Sequence, residues 1–406
     1  MLVKNRPGVL LNRIFILSYF PVIFISLFLS NIHSYAQENL SKPEQKEIVE
    51  MLCSKLEKLY PVSETGKKTS LYILENYKAG KYSGYTSSSE FVQHLNDDLA
   101  SSSKDGHLGI IYDPVLASEL KKEESTGDVG KSYADLTSES ERWNNYGFKE
   151  LKILDGNIGY LNLKTFFSLK YAGETAAAAM RYFSNCNALI IDLRRNGGGW
   201  DDMVTFLASY FIDTSDDILL NIERSTEDNS YSASKISAYV PGKKLFNIPV
   251  VILTSKSTAS AAEAFTNIMR NFSKKTSVVG ETTAGAENPV SDIALFGGYL
   301  LRIPTWQKVY SFEKTGWEGS GIKPDTEAES ERALETAQMS LLNKLKQESK
   351  DEALRNKYQW YIEGLNALNN PVSLPGSIMQ TYQGKYGNRN IYYENGALFY
   401  QYKGRT

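Results

Sequence analysis

The chain of 406 residues reads as an α/β protein entered through helices, and three observations lead there. Short apolar runs recur from Gly109 onward, at Gly109 to Tyr112, Ile158 to Leu163, Ala188 to Asp192, Ile218 to Ile222, Pro249 to Thr254 and Thr276 to Val279. Runs of this length without polar alternation are expected of strands covered on both faces. Helical stretches lie between several of them, at Glu174 to Phe183, Asp201 to Phe211 and Ser260 to Phe272, and strands alternating with helices predict a sheet covered by helices. The segment before Gly109 is helical only.

In chain order, Lys4, Arg6 and Arg13 precede an apolar run from Ile14 to Leu29, and Ser34-Tyr35-Ala36 places small residues where a signal peptidase cuts. The run is interrupted by Pro21 and is short against the roughly 20 residues of a membrane span. An export signal over residues 1–36 is therefore expected, with no stable membrane anchor after cleavage. Ser41-Lys42-Pro43-Glu44 is a capping box, and Ile48, Leu52, Leu56 and Leu59 share one helical face behind it. Further helices are expected near Lys68 to Tyr77 and around Phe91, Leu95 and Leu99, which makes residues 37–103 a small helical domain. The charged stretch Lys121 to Asn144 reads as a surface excursion. A helical segment is expected within 341–370. Residues 371–406 hold Asn395-Gly396 between alternating strands, the signature of a β-hairpin, which has to pack on something or belong to an incomplete β module.

Composition excludes several functions. Lys and Arg total 45 against 47 Asp and Glu, and losing the three signal cations leaves a mildly acidic chain, unsuited to nucleic acid as main partner. Three histidines are present, of which His33 leaves with the signal. A metal site of three or more histidines is thus excluded, and any imidazole chemistry falls to His94 or His107. No cofactor and no metal are implied. Cys53 and Cys186 are far apart; they either pair in an exported protein or stay buried as thiols.

Four stretches can carry chemistry. In SKSTASAAEAF, Ser260 and Glu263 have capping-box spacing, and Phe265, Ile268, Met269 and Phe272 give the following helix a buried face. Ser260 therefore sits at a strand-to-helix corner among alanines, where its hydroxyl either caps the helix or attacks a carbonyl, with the Ala261 amide aimed at an oxyanion. In NALIIDLRRNGGGW, Gly197, Gly198 and Gly199 end a buried strand and leave backbone N–H groups open to a ligand, without the spacing of a P-loop. In KDGHLGIIY, His107 stands at the rim of a strand, whereas His94 sits on an amphipathic helix and reads as structural. In TGWEGSGIKPD, Glu318 is set among glycines.

Taken in order, DGHL, DLRRNGGG, STASAAE, VVGETTAGAENP and WEGSGIKPD resemble the carboxyl-terminal processing (tail-specific) serine peptidase family, in the branch with the tricorn core protease and the interphotoreceptor retinoid-binding protein. The resemblance spans roughly Asp105 to Ala337. It implies a crotonase-like (Clp-protease-like) α/β spiral, a serine peptidase domain over 104–340, and Ser260 as nucleophile. The branch with a lysine base carries it after the glycine of a G-E-x-T-x-G stretch, where this chain has Ala286. The tricorn-like branch uses histidine and glutamate, and the matching positions are His107 and Glu318. Ala261 and one glycine among Gly197, Gly198 and Gly199 would form the oxyanion hole. The expected function is an exported, periplasmic or extracellular serine peptidase acting on peptide or protein substrates. The alternative is a non-catalytic binding protein for peptide tails or apolar ligands on the same fold.

Overall fold

The computed structural model describes residues 40–126, 132–312 and 316–402; the export signal expected over 1–36 lies outside them. Helices α1 (Lys42–Leu59), α2 (Ser63–Lys78) and α3 (Ser88–Ser103) come first, followed by β1 (Gly109–Tyr112), α4 (Pro114–Thr126) and α5 (Tyr133–Trp143). The central part runs β2 (Phe148–Leu154), β3 (Ile158–Leu163), α6 (Leu169–Tyr182), β4 (Ala188–Asp192), α7 (Asp201–Ala208), β5 (Ile218–Ser225), β6 (Tyr231–Ile236), β7 (Val250–Thr254), α8 (Ala261–Phe272) and β8 (Thr276–Gly280). It continues through β9 (Val290–Ala294), β10 (Tyr299–Pro304), β11 (Trp306–Tyr310) and β12 (Thr326–Glu327). The last elements are α9 (Ala333–Glu348), α10 (Glu352–Asn369), α11 (Gly376–Thr381), β13 (Gly384–Tyr386), β14 (Arg389–Glu394) and β15 (Ala397–Tyr402).

A six-stranded sheet in the order β12-β8-β7-β4-β3-β2 forms the centre, parallel except where β2 meets β3. Alternate residues of each strand face opposite ways, and the two faces feed two cores. Leu189 and Ile191 pack with α6, α7 and α8, while Ala188 and Ile190 pack with α9 and α10. Covering on both faces is why these strands read as unbroken apolar runs.

The amino-terminal helices build one core with the antiparallel sheet β1-β10-β9: Ile48, Leu52, Phe91 and Leu95 meet Ile110, Tyr299 and Leu301. Helix α1 starts with the predicted capping box, the Glu44 carboxylate accepting from the Ser41 amide at 2.8 Å. His94 stacks on Tyr85, with ring centroids 3.9 Å apart. Cys53 and Cys186 are both buried and unpaired. Among the described residues, no helix is long and apolar enough to cross a membrane.

The charged stretch read as a surface excursion contains α5, a largely exposed helix that Ser132 and Asp135 cap and whose Ala134 enters the main core. Its apolar side, Ala134 with Tyr133 and Leu136, is interrupted by charges in the sequence. The expected tail hairpin is present and is joined by a third strand, giving the sheet β13-β14-β15, a small β module that contains the Asn395-Gly396 turn.

Asp98 on α3 is buried and accepts hydrogen bonds from Tyr82, Asn76 and Lys81, tying the loop after α2 to α3. An acid survives in such a place only with donors around it. Asp98→Ala should cost about 2–4 kcal/mol, since it strands the buried Tyr82 hydroxyl. Denaturant unfolding of the two proteins measures it.

Candidate active site

Strand β7 leaves the sheet at Thr254 and turns through residues 255–259 into α8. Ser255 and Thr258 hold that turn against the end of β4, their hydroxyls donating to the Arg194 carbonyl at 2.5 Å and the Leu193 carbonyl at 2.8 Å. The Ala259 amide donates to the Asn196 carbonyl at 3.1 Å. The serine corner and the glycine turn therefore form one piece of backbone.

Ser260 has φ 54° and ψ −123°, a left-handed conformation that a non-glycine residue adopts only under constraint. The capping box read in the sequence is present, with the Ser260 amide donating to Glu263 Oε2 at 3.0 Å. Gly198, at φ +115°, backs against it so closely that a Cβ there would stand 2.8 Å from the Ser260 Cβ and 3.1 Å from the Ala261 nitrogen. Only glycine fits there. The Gly198 amide donates to Asn196 Oδ1 at 2.8 Å.

Glu263 is fully buried. Besides the Ser260 amide, its carboxylate accepts from the Thr283 hydroxyl, the Gly285 amide at 2.7 Å and the Ala286 amide at 2.8 Å. Burial pushes its pKa up, and these four donors pull against that shift. Ala286, where the lysine-based relatives would have their lysine, is buried and thus supplies a backbone amide to the acid.

The same loop reaches Glu318. Glu318 Oε2 accepts from the amides of Glu287 at 2.7 Å and Asn288 at 3.1 Å, and the Gly319 amide donates to the Gly285 carbonyl at 2.8 Å. His107 arrives from the start of β1. One ring nitrogen of His107 and one carboxylate oxygen each of Glu318 and Asp105 lie within 4.8 Å of one another. Two atoms of this group, His107 Nδ1 and Glu318 Oε1, are buried without a hydrogen-bond partner. Burial pushes the His107 pKa down against the pull of Asp105, with Arg302 and Lys308 adding to the fall. Burial and then the Asp105 charge push Glu318 up to about 7.

The structure thus brings His107 to Glu318, and Ser260 to Ala261 and Gly198; loop 283–288 bonds to both groups. Asp105 was not singled out in the sequence, although it stands in the DGH stretch. Lys308 was also missed. Its ammonium is buried between Asp201 at 2.6 Å and Glu223 at 2.9 Å. Burial opposes its charge, but Asp201, Tyr310 and Glu223 outweigh that and raise its pKa. A lysine so held stays protonated and does not replace the missing lysine base.

A parallel sheet whose strand end leads to a serine at positive φ, half-buried and backed by a glycine turn, defines an α/β protein with a hydroxyl at a strand-to-helix corner. Residues 157–328 match the family model described as Peptidase family S41. The matched segment includes Ser260, Glu318 and the glycine turn, while His107 and helices α1 to α5 precede it. The chain is 30% identical over 171 residues to a protein of Staphylococcus haemolyticus described as a probable CtpA-like serine protease, an alignment covering 42% of this chain and 33% of that protein. It is 27% identical over 182 residues to the chloroplastic C-terminal processing peptidase of Tetradesmus obliquus, covering 43% and 36% respectively. The chain thus spans about a third of the length of these curated relatives. The solved photosystem II D1 C-terminal processing protease shares 13% identity, covering 71% of this chain and 94% of that one, with a TM-score of 0.41.

Glu263→Gln keeps the shape of the acid but turns an NH2 group toward backbone amides. It should lower stability by about 2–4 kcal/mol. A denaturant melt of parent and variant measures the loss.

Proposed function

We propose that the chain is an exported serine peptidase that hydrolyses peptide bonds through an acyl-enzyme, with Ser260 as nucleophile, His107 as general base and Glu318 as its support. The observation that carries this reading is the meeting of His107 and Glu318, 211 positions apart in the chain, each with a buried unpartnered atom. Glu318 is the acid suited to hold the imidazole tautomer and to stabilise the imidazolium.

In the reaction, the Ser260 oxygen bonds to the peptide carbonyl carbon while its proton passes to His107. The imidazolium gives that proton to the departing amine as the C–N bond breaks, leaving an ester on Ser260. Water, deprotonated by His107, then cleaves the ester and restores the hydroxyl. Negative charge on the carbonyl oxygen is met by the Ala261 amide, at the positive end of α8, with one glycine among Gly197, Gly198 and Gly199 as second donor. Gaps of up to 4.8 Å in the acid–base group close by small side-chain rotations, as free peptidase sites tighten on binding substrate. The apolar run behind Lys4, Arg6 and Arg13 supports export to the periplasm or the extracellular side.

Ser260→Ala should lower peptide turnover on the order of a millionfold and abolish labelling by a serine-directed phosphonate. Cleavage of a peptide library read by mass spectrometry, with labelled protein run beside it, checks both. Labelling that survives in the variant overturns the nucleophile assignment, and a parent that binds peptides without cleaving or labelling is a binding protein instead.

Catalysis needs neutral His107 and ionised Glu318. Since His107 is pushed down and Glu318 up to about 7, kcat/KM should rise through roughly pH 7 and level off above it, the apparent value belonging to the coupled pair. A pH profile on one peptide measures this, and a rate independent of pH between about 5 and 8 contradicts it.

A further inference from the structure

Asp105 has no part in the reaction as proposed, yet it is the most constrained acid around His107. It is buried, its Oδ1 accepts the His107 amide at 2.8 Å, and its Oδ2 accepts the Tyr60 phenol at 2.6 Å. Tyr60 caps the carboxyl end of α1, so the bond runs from the amino-terminal helices to the backbone of the histidine. At the same helix end the Leu59 carbonyl accepts from the Thr226 hydroxyl at 2.7 Å, a second tie between α1 and the α/β part. We propose that Asp105 and Tyr60 are positioning residues through which the amino-terminal helices hold His107 against Glu318.

The inference rests on the Ser-His-Glu reading and deepens it. His107 follows Gly106 in a segment with no regular structure, between α3 and β1. Nothing in that segment's own conformation fixes the imidazole. A carboxylate held by a phenol on one oxygen and holding the histidine amide on the other removes that freedom. Asp105 also acts by charge. It favours the imidazolium, and as a second acid beside Glu318 it opposes the ionisation of that group. The other charged groups facing the pair are Arg302 and Lys308 toward His107, and Glu287 toward Glu318.

Tyr60→Phe keeps the ring and deletes the donor; Asp105→Asn keeps the shape and deletes the charge. Tyr60→Phe should lower kcat roughly ten- to a hundredfold with KM within about twofold of the parent, because the histidine is misplaced and substrate contacts are not. Asp105→Asn should lower kcat and move the acidic limb of the pH profile toward lower pH, since both Glu318 and His107 lose an interaction that holds their pKa values up. Both variants are measured in the full chain, with thermal unfolding as a check of the fold. If Asp105→Asn does not fold, the kcat and KM of Tyr60→Phe decide alone. A Tyr60→Phe protein with parental kcat, or a folded Asp105→Asn protein with an unmoved acidic limb, overturns the inference. The reading beneath it fails separately, when Ser260→Ala or His107→Ala still cleaves.

Discussion

The carboxylate of Glu263 is the interaction on which the site depends. It lies in the dry interior beneath the first turn of α8, where an acid persists only if its oxygens are occupied. The occupying donors come from two places, the Ser260 amide and residues Thr283, Gly285 and Ala286. Satisfying one buried acid therefore fixes the loop after β8 against the serine corner. Because the amides of Glu287 and Asn288 continue from that loop to Glu318, the position of the distal acid is inherited from the same bond set.

The corner has a second constraint from the glycine turn. Asn196 accepts from the Gly198 amide and donates to the Leu163 carbonyl at 3.0 Å, so the end of β4 is stitched to the end of β3. Asp192 adds a charged anchor, taking a salt bridge from Arg194 at 2.6 Å and a hydrogen bond from the Tyr160 hydroxyl at 2.7 Å. Both sides of the Ser260 turn are thus held by polar groups at strand ends. Such bracing lets a non-glycine residue stay at positive φ, at an expense of about 1–3 kcal/mol carried by the surroundings.

What was legible in the sequence follows from the same physics. The parallel strands were plain because burial on both faces forces continuous apolar runs, and β3 and β4 have the boundaries their runs announce. Strands β9 and β11 were not, since each has half-exposed polar positions and no long run. In the site, Ser260 and Glu263 share one short motif and could be read together. Asp105 and Lys308 act through partners that only folding supplies. Lys308 sits in a Trp-Gln-Lys-Val-Tyr stretch that looks like an ordinary surface strand, and its acids Asp201 and Glu223 lie far back in the chain. No local pattern records a pairing of that kind.

Charges of both signs bear on His107. Two acids, Asp105 and Glu318, share its vicinity with the imidazole, while the charges of Arg302 and Lys308 oppose a positive ring. With the imidazole neutral, the two carboxylates repel, and Glu318 is reluctant to ionise. In the proposed reaction, where the ring takes a proton from Ser260, the same two carboxylates would face a cation, and repulsion would become attraction at the moment charge develops. An arrangement unfavourable at rest and favourable with the proton transferred favours the transition state over the ground state. The buried, unpartnered Nδ1 of His107 and Oε1 of Glu318 are what such a site has before that proton arrives.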